Sequence, residues 1–198
     1  MLSKATTRAT QKLATRSRIL DAARNLLEAS GYEAANLRAI ASQAGVSTGA
    51  VLQHFKDKQD LLHTALFEDL DQRWTKLQSK HQEVPLDTSL TQIAKAFFDY
   101  YARRPKLSRA LLRESLFADP PWNERFAAQV ADVHRHVAGL CVAAQKRGEL
   151  AKDVDPALFG ATFFSFYYFA LLAWVQGGHR DPLGLFKNML RQHLKGLQ

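Results

Sequence analysis

Between Asn36 and Leu62 (NLRAIASQAGVSTGAVLQHFKDKQDLL) several polar residues are of types that can read hydrogen-bonding edges. Gln53 carries an amide that can pair with an adenine edge, and Thr48 a hydroxyl for a base or a phosphate. Ala50 offers a methyl to thymine, and Gly49 lets a backbone come close. Ser47 and His54 share that surface, and Arg38, one turn into the preceding helix, has the reach for a guanine. Reaction chemistry has no comparable signature. There is no glycine-rich phosphate loop, no Gly-x-Ser-x-Gly and no His-Glu-x-x-His, and no spacing sets a nucleophile beside a base. The sequence therefore predicts no catalytic residues, no cofactor and no enzyme.

Such side chains need a rigid element to present them. Leu37, Ile40, Ala41 and Ala44 recur at helical spacing, and Gly45 follows where a chain needs positive φ to leave a helix. Asn36 and Ser47 stand where N-caps belong, and Val46 plugs the corner between them. Val51, Leu52 and Phe55 are expected to form the buried stripe of the second helix. A small Ala for close crossing, a Gly turn and an outward polar face make up a helix-turn-helix, whose second helix enters a DNA major groove.

The flanks sharpen this. Ile19-Leu20-Asp21-Ala22-Ala23, Gly31-Tyr32, Arg38-Ala39-Ile40-Ala41, Ala44-Gly45-Val46-Ser47, His54-Phe55 and Lys58-Gln59-Asp60-Leu61-Leu62 occur in that order. Together the run from Thr15 to Leu62 resembles the DNA-binding domain of the TetR (tetracycline repressor-like) family of bacterial transcription regulators. The resemblance implies DNA contacts at Asn36, Arg38, Ser47, Thr48, Gly49, Ala50, Gln53 and His54, with Lys58 gripping a phosphate. One position departs: Leu52 stands where the family usually has a backbone-contacting Tyr, which leaves more of the anchoring to His54 and Lys58. The resemblance further implies a small effector bound in a second domain and repression relieved by that ligand, although some relatives activate. A constitutive DNA binder without an effector is the other alternative, and the 140 residues beyond the motif exceed what a mere dimeriser needs.

Bulk properties suit this picture. The 198 residues carry a formal net charge of +8, with 46% hydrophobic and 23% charged residues. Residues 1–58 hold nine Lys/Arg against four Asp/Glu. The first eighteen include Lys4, Arg8, Lys12, Arg16 and Arg18 and no acid, which suits phosphate contact. The single Cys141 allows no disulfide framework, and no signal-peptide core is legible, so a cytoplasmic location is expected. Residues 157–178 are free of charge for 22 positions, enough to span a bilayer. Thr162, Ser165, Gln176 and the Tyr167-Tyr168 pair dilute the run, so it reads as a helix buried between its own core and a partner subunit, with no membrane role.

Helix-forming residues dominate throughout, so the expected fold class is all-α with about nine helices. Residues 1–58 read as a three-helix DNA-binding domain with a basic N-terminal tail, and residues 59–198 as an effector-binding and dimerisation domain. Helices are expected over Thr10–Ser30, the two motif helices, a long fourth from Lys58, Thr88–Arg103 and Lys106–Phe117. Three more should open at Asp119-Pro120, Asp155-Pro156 and Asp181-Pro182, where Asp caps and Pro at the first position loses no hydrogen bond. Helices five to eight supply the aromatic residues Phe97, Tyr101, Phe126, Phe163, Phe166 and Tyr167, punctuated by Ser115 and His134; these eight are the candidate ligand-binding residues. His134 and His136 lie two apart and point to different sides of a helix, so no metal site is expected. The eighth and ninth helices, the latter with Leu183, Phe186, Met189, Leu190 and Leu194, are the expected homodimer surface. A two-fold protein of this kind reads a palindromic double-stranded operator.

Overall fold

The computed structural model describes residues 2–78, 84–117 and 119–197. Among the described residues there are nine helices and no strand: α1 (Leu2–Ser30), α2 (Leu37–Ala44), α3 (Thr48–Leu52), α4 (Lys58–Gln78), α5 (Leu86–Arg103), α6 (Pro105–Phe117), α7 (Trp122–Arg147), α8 (Pro156–Val175) and α9 (Pro182–Lys195). The chain forms two compact units. One comprises residues 1–72 and 104–118, the other residues 73–103 and 119–198. This line of compactness differs from a division at residue 58, because α6 and most of α4 join the motif helices.

In the first unit, Ile19, Leu20, Ala23 and Leu27 of α1 pack into one core with Ile40, Ala41 and Val51, and with Leu61, Leu62, Ala65 and Leu66 of α4. The buried Arg24 fixes α1 to α4, its Nε donating to the Ala65 carbonyl at 2.9 Å. The start of α6 is tied to the end of α1. Lys106 Nζ donates to the Ala29 carbonyl (2.8 Å), and the Glu28 carboxylate accepts from the Leu107 backbone N–H (2.9 Å). Further along α6, Glu114 meets the fully buried His63 of α4 at 2.9 Å. These pairs join residues 51 to 79 positions apart, which is why sequence spacing alone does not announce them.

In the second unit, α7, α8 and α9 pack with α5 around Phe98, Phe163, Tyr167, Leu171 and Phe186. Gly160 lets α7 and α8 cross closely: a Cβ built there would lie 2.7 Å from the His134 carbonyl oxygen. By length and composition α8 could cross a membrane, yet its Phe159, Gly160, Phe163, Tyr167, Ala170 and Leu171 are buried within this unit.

Three local expectations need correction. First, α1 begins at Leu2 rather than near Thr10, so the basic segment is part of a continuous helix. Second, Leu52 is 48% exposed, whereas Val51 and Phe55 are buried. The helix has only five residues, so the i, i+4 pair takes the inward face and Leu52, about 100° round from Val51, points out. Third, Asp155 and Asp181 cap α8 and α9 with their carboxylates, but Asp119 does not cap α7 in this way. A second proline follows it, and the Asp119 backbone carbonyl accepts from the Trp122 N–H at 3.0 Å instead.

Candidate nucleic-acid interface

The exposed face of the helix-turn-helix is held by capping. The Asn36 side chain accepts from the Ala39 N–H at 2.9 Å, which opens α2. Gly45 sits at φ 66°, and its N–H and that of Val46 return to the carbonyls at the end of α2. Ser47 Oγ then accepts from the Ala50 N–H at 3.1 Å and opens α3. Two carboxylates open α4: Asp57 accepts from the Asp60 N–H (2.8 Å), and Asp60 accepts from the Lys56 N–H (2.9 Å). Four polar side chains thus fix the angles between three helices.

The candidate contact residues lie on this frame. Asn36, Arg38, Ser47, Thr48, Gly49 and Gln53 are exposed, and Ala50, His54 and Lys58 are half-buried. Gln53 is the C-cap of α3 and His54 lies in the turn beyond it, so the recognition helix is shorter than its sequence suggests. Lys58 Nζ lies 5.7 Å from the centre of the Tyr32 ring, with the Arg113 guanidinium 4.9 Å from the same ring. Burial, with the Glu114 carboxylate next in weight, pushes the Tyr32 hydroxyl up to about 12. Tyr32 therefore stays protonated and serves as an aromatic rest for two cations. Its place beside Gly31 is legible in the sequence, but the cations that meet it are not.

Electrostatics bring α1 into the same surface. Burial holds the His54 imidazole below its ordinary value, and the positive charges of Lys12 and Arg16 add to that. Arg16 is itself committed: it makes a two-pronged pair with Glu68 at 2.9 and 2.5 Å and lies over the Phe55 ring. The hydrogen bond to Glu68 is the main reason its own pKa rises.

In the second unit, four ligand-pocket candidates, Phe97, Tyr101, Phe163 and Tyr167, are buried. Phe97 lies 5.9 Å from Tyr167 and stacks on Trp74 at 6.1 Å. Tyr101 and Tyr167 share a hydrogen bond, and burial holds both hydroxyls above their ordinary range. His134 meets Phe164 edge-on at 5.4 Å, and burial lowers its pKa. Its Nε2 and the Trp74 Nε1 are buried, with no hydrogen-bond partner among the described residues. Phe166 instead faces His193 of α9, and Phe126 is half-buried early in α7. Ser115 belongs to the first unit, where its hydroxyl donates to the Leu112 carbonyl at 2.9 Å. Two cavities of about 590 and 600 Å³ run along α5 and α9 and beside the start of α5, and neither is lined by these candidates. His134 and His136 do turn to different neighbours, the latter to Trp74. Among the described residues no group of three or more His, Cys, Asp or Glu side chains could hold a metal ion.

An all-α chain with a capped helix-turn-helix, an exposed polar face and basic flanks is a DNA-binding regulator in class. Comparison with known proteins gives the family. The family model for bacterial regulatory proteins of the tetR family matches residues 19–65. The HTH-type transcriptional repressor Rv1474c of Mycobacterium tuberculosis is 30% identical over 141 residues, covering 71% of this chain and 74% of that protein. The HTH-type transcriptional repressor KstR of Rhodococcus jostii is 36% identical over 107 residues, covering 52% of this chain and about half (49%) of that repressor's length. In fold, the chain is similar to the transcriptional regulator FadR of Bacillus subtilis in complex with stearoyl-CoA, with a TM-score of 0.75 at 20% identity over 90% of this chain and 96% of that one. The chain belongs to the TetR family of transcription regulators.

Proposed function

We propose that this regulator is a ligand-responsive repressor that binds a palindromic operator as a cytoplasmic homodimer and is released by a small, largely apolar effector. The observation that carries the DNA half is the capped, exposed face of α2 and α3. Thr48, Gln53 and Ala50 serve base readout, Arg38 reaches a guanine, and His54 and Lys58 hold phosphates. Residues 1–58 supply these contacts, and residues 59–198 supply effector and partner binding.

Dimerisation draws support from α8. Leu158 is 66% and Phe169 57% exposed, and with Thr162, Ser165 and Phe166 they follow one helical stripe. A second copy of the α8–α9 pair would cover that stripe as a four-helix bundle. The effector reading rests on the buried aromatic residues of the second unit, Phe97, Tyr101, Phe163 and Tyr167. The structural neighbour FadR of Bacillus subtilis holds stearoyl-CoA, which joins a long apolar acyl chain to a large charged head.

Coupling follows from α4, one continuous helix that opens at Lys58 and ends at Gln78 beyond Trp74. An effector that displaces the Trp74–Leu77 end tilts the recognition helices away from the spacing of roughly 34–36 Å that successive major grooves require. By reciprocity, operator DNA then weakens effector binding by the same factor. Light scattering should give about twice the chain mass at micromolar concentration, and a monomer would overturn the dimer. Mass spectrometry of the small molecule that copurifies, followed by its titration with and without operator, tests the switch. Equal affinity in both titrations would reduce the protein to a constitutive DNA binder.

A further inference from the structure

The start of α1 poses a physical problem. From Arg8 to Ala14 every residue is exposed, so this part of the helix buries no face of its own. It carries no acid, and Arg8 and Lys12 stand at i, i+4, where like charges disfavour a helix. With all its residues exposed, its helicity is carried by propagation from the packed part of α1 alone. Among the described residues neither Arg8 nor Lys12 makes an ion pair, whereas Arg16 is neutralised by Glu68. What would favour this stretch as a helix is a partner rich in negative charge.

The geometry says where that partner lies. Residues four apart on a helix drift about 40° per step, so Arg8, Lys12 and Arg16 share one side within roughly 80° of arc. Arg16 reaches Phe55, and both Lys12 and Arg16 act electrostatically on His54. The ridge is therefore continuous with the recognition surface. It runs away from it for about 12 Å between Arg16 and Arg8, at about 1.5 Å per residue. Over that length a duplex passes about seven phosphates, counting both strands.

We infer that the N-terminal part of α1 is a DNA-backbone contact, in which Arg8 and Lys12 neutralise phosphates flanking the half-site read by α2 and α3. It is a phosphate-tracking ridge with no part in base choice, and the phosphates relieve the repulsion between its cations. This rests on the operator-binding reading above and adds to it a longer footprint and a steeper dependence on salt.

The test uses the full chain and a duplex that the wild type selects from a random-sequence pool, read by fluorescence anisotropy across a salt series. Each phosphate contact contributes about 0.9 to the slope of log affinity against log salt. Arg8→Ala with Lys12→Ala should lower that slope by about 1.8 per bound chain and leave the base preference at every operator position unchanged. Lys146→Ala with Lys152→Ala removes the same charge at exposed positions of the second unit and should leave the slope as it was. An unchanged slope in the first variant, an equal fall in the second, or an altered base preference overturns the inference alone. Failure of the wild type to select any duplex overturns the operator-binding reading and the inference with it.

Discussion

Replacing Gly160 by alanine tests whether the close crossing of α7 and α8 has the role its geometry gives it. The added Cβ would stand 2.7 Å from the His134 carbonyl oxygen and 3.3 Å from the same residue's Cα and carbonyl carbon, where ordinary contact begins near 3.4 Å. The obstacle is backbone, so no side chain can turn aside. The helices must part by roughly 0.7 Å, and overpacking of this kind costs about 1–3 kcal/mol. The alanine gains about 1 kcal/mol in helix propensity over glycine, which leaves a net loss of about 0–2 kcal/mol. For a chain of this size that lowers the Tm by up to about 8 °C. Gly139, on α7, provides the opposite sign: nothing lies within 4 Å of a Cβ built there. Gly139→Ala should raise the Tm by about 2–4 °C, because only the propensity gain operates. Thermal melts of the two variants and the wild type, followed by circular dichroism, make the comparison. A Gly160→Ala chain that melts above the wild type, as Gly139→Ala is expected to, would refute the crossing argument.

Other consequences follow from the interface. Gln53→Ala should relax base preference at one operator position at a cost of about 1–3 kcal/mol, whereas Lys58→Ala should weaken binding evenly and flatten the salt slope; identical behaviour of the two in an operator-variant titration would refute the division of roles. Ser47→Ala removes the cap of α3 and should cost about 1 kcal/mol in chemical denaturation, with operator affinity falling as well because the helix start is no longer fixed. The His54 imidazole has its folded pKa below the unfolded value of about 6.5, so its neutral form stabilises the fold above that pH, and the contribution is lost as pH falls below it. Phosphates near His54 favour the charged form, so operator affinity should rise over the same interval as pH falls. His54→Gln should flatten that rise, and an unchanged affinity profile would remove His54 from the phosphate contacts.

What the sequence disclosed was mostly local chemistry. Asn36, Gly45 and Ser47 act within three or four residues of themselves, so residue type and spacing were enough to place both caps and the turn. Leu52 misled because five residues make less than two turns, and so short a helix offers too little periodicity to tell its inner face from its outer one. The start of α1 was hidden because apolar periodicity begins only at Ile19, and none of residues 8–18 is buried. The three Asp-Pro pairs look alike, yet Asp119 is followed by a second proline, and its backbone rather than its carboxylate meets α7. The grouping of α6 with the motif helices depends on Glu28, Ala29 and His63 meeting Leu107, Lys106 and Glu114, and no spacing rule foresees contacts at such separations. The division of the ligand-pocket candidates has the same origin: Ser115 follows α6 into the first unit, while Phe97, Tyr101, Phe163 and Tyr167 gather in the second.

The central claim, an operator-binding homodimer that reads DNA through α2 and α3, is met most directly by selection from a random duplex pool with the full chain, followed by stoichiometric titration of the enriched sequence. An inverted repeat with half-site centres about one helical turn apart, or a multiple of it, is expected, with two chains bound per duplex at saturation. An unenriched pool, or saturation by one chain on a single half-site, would contradict it.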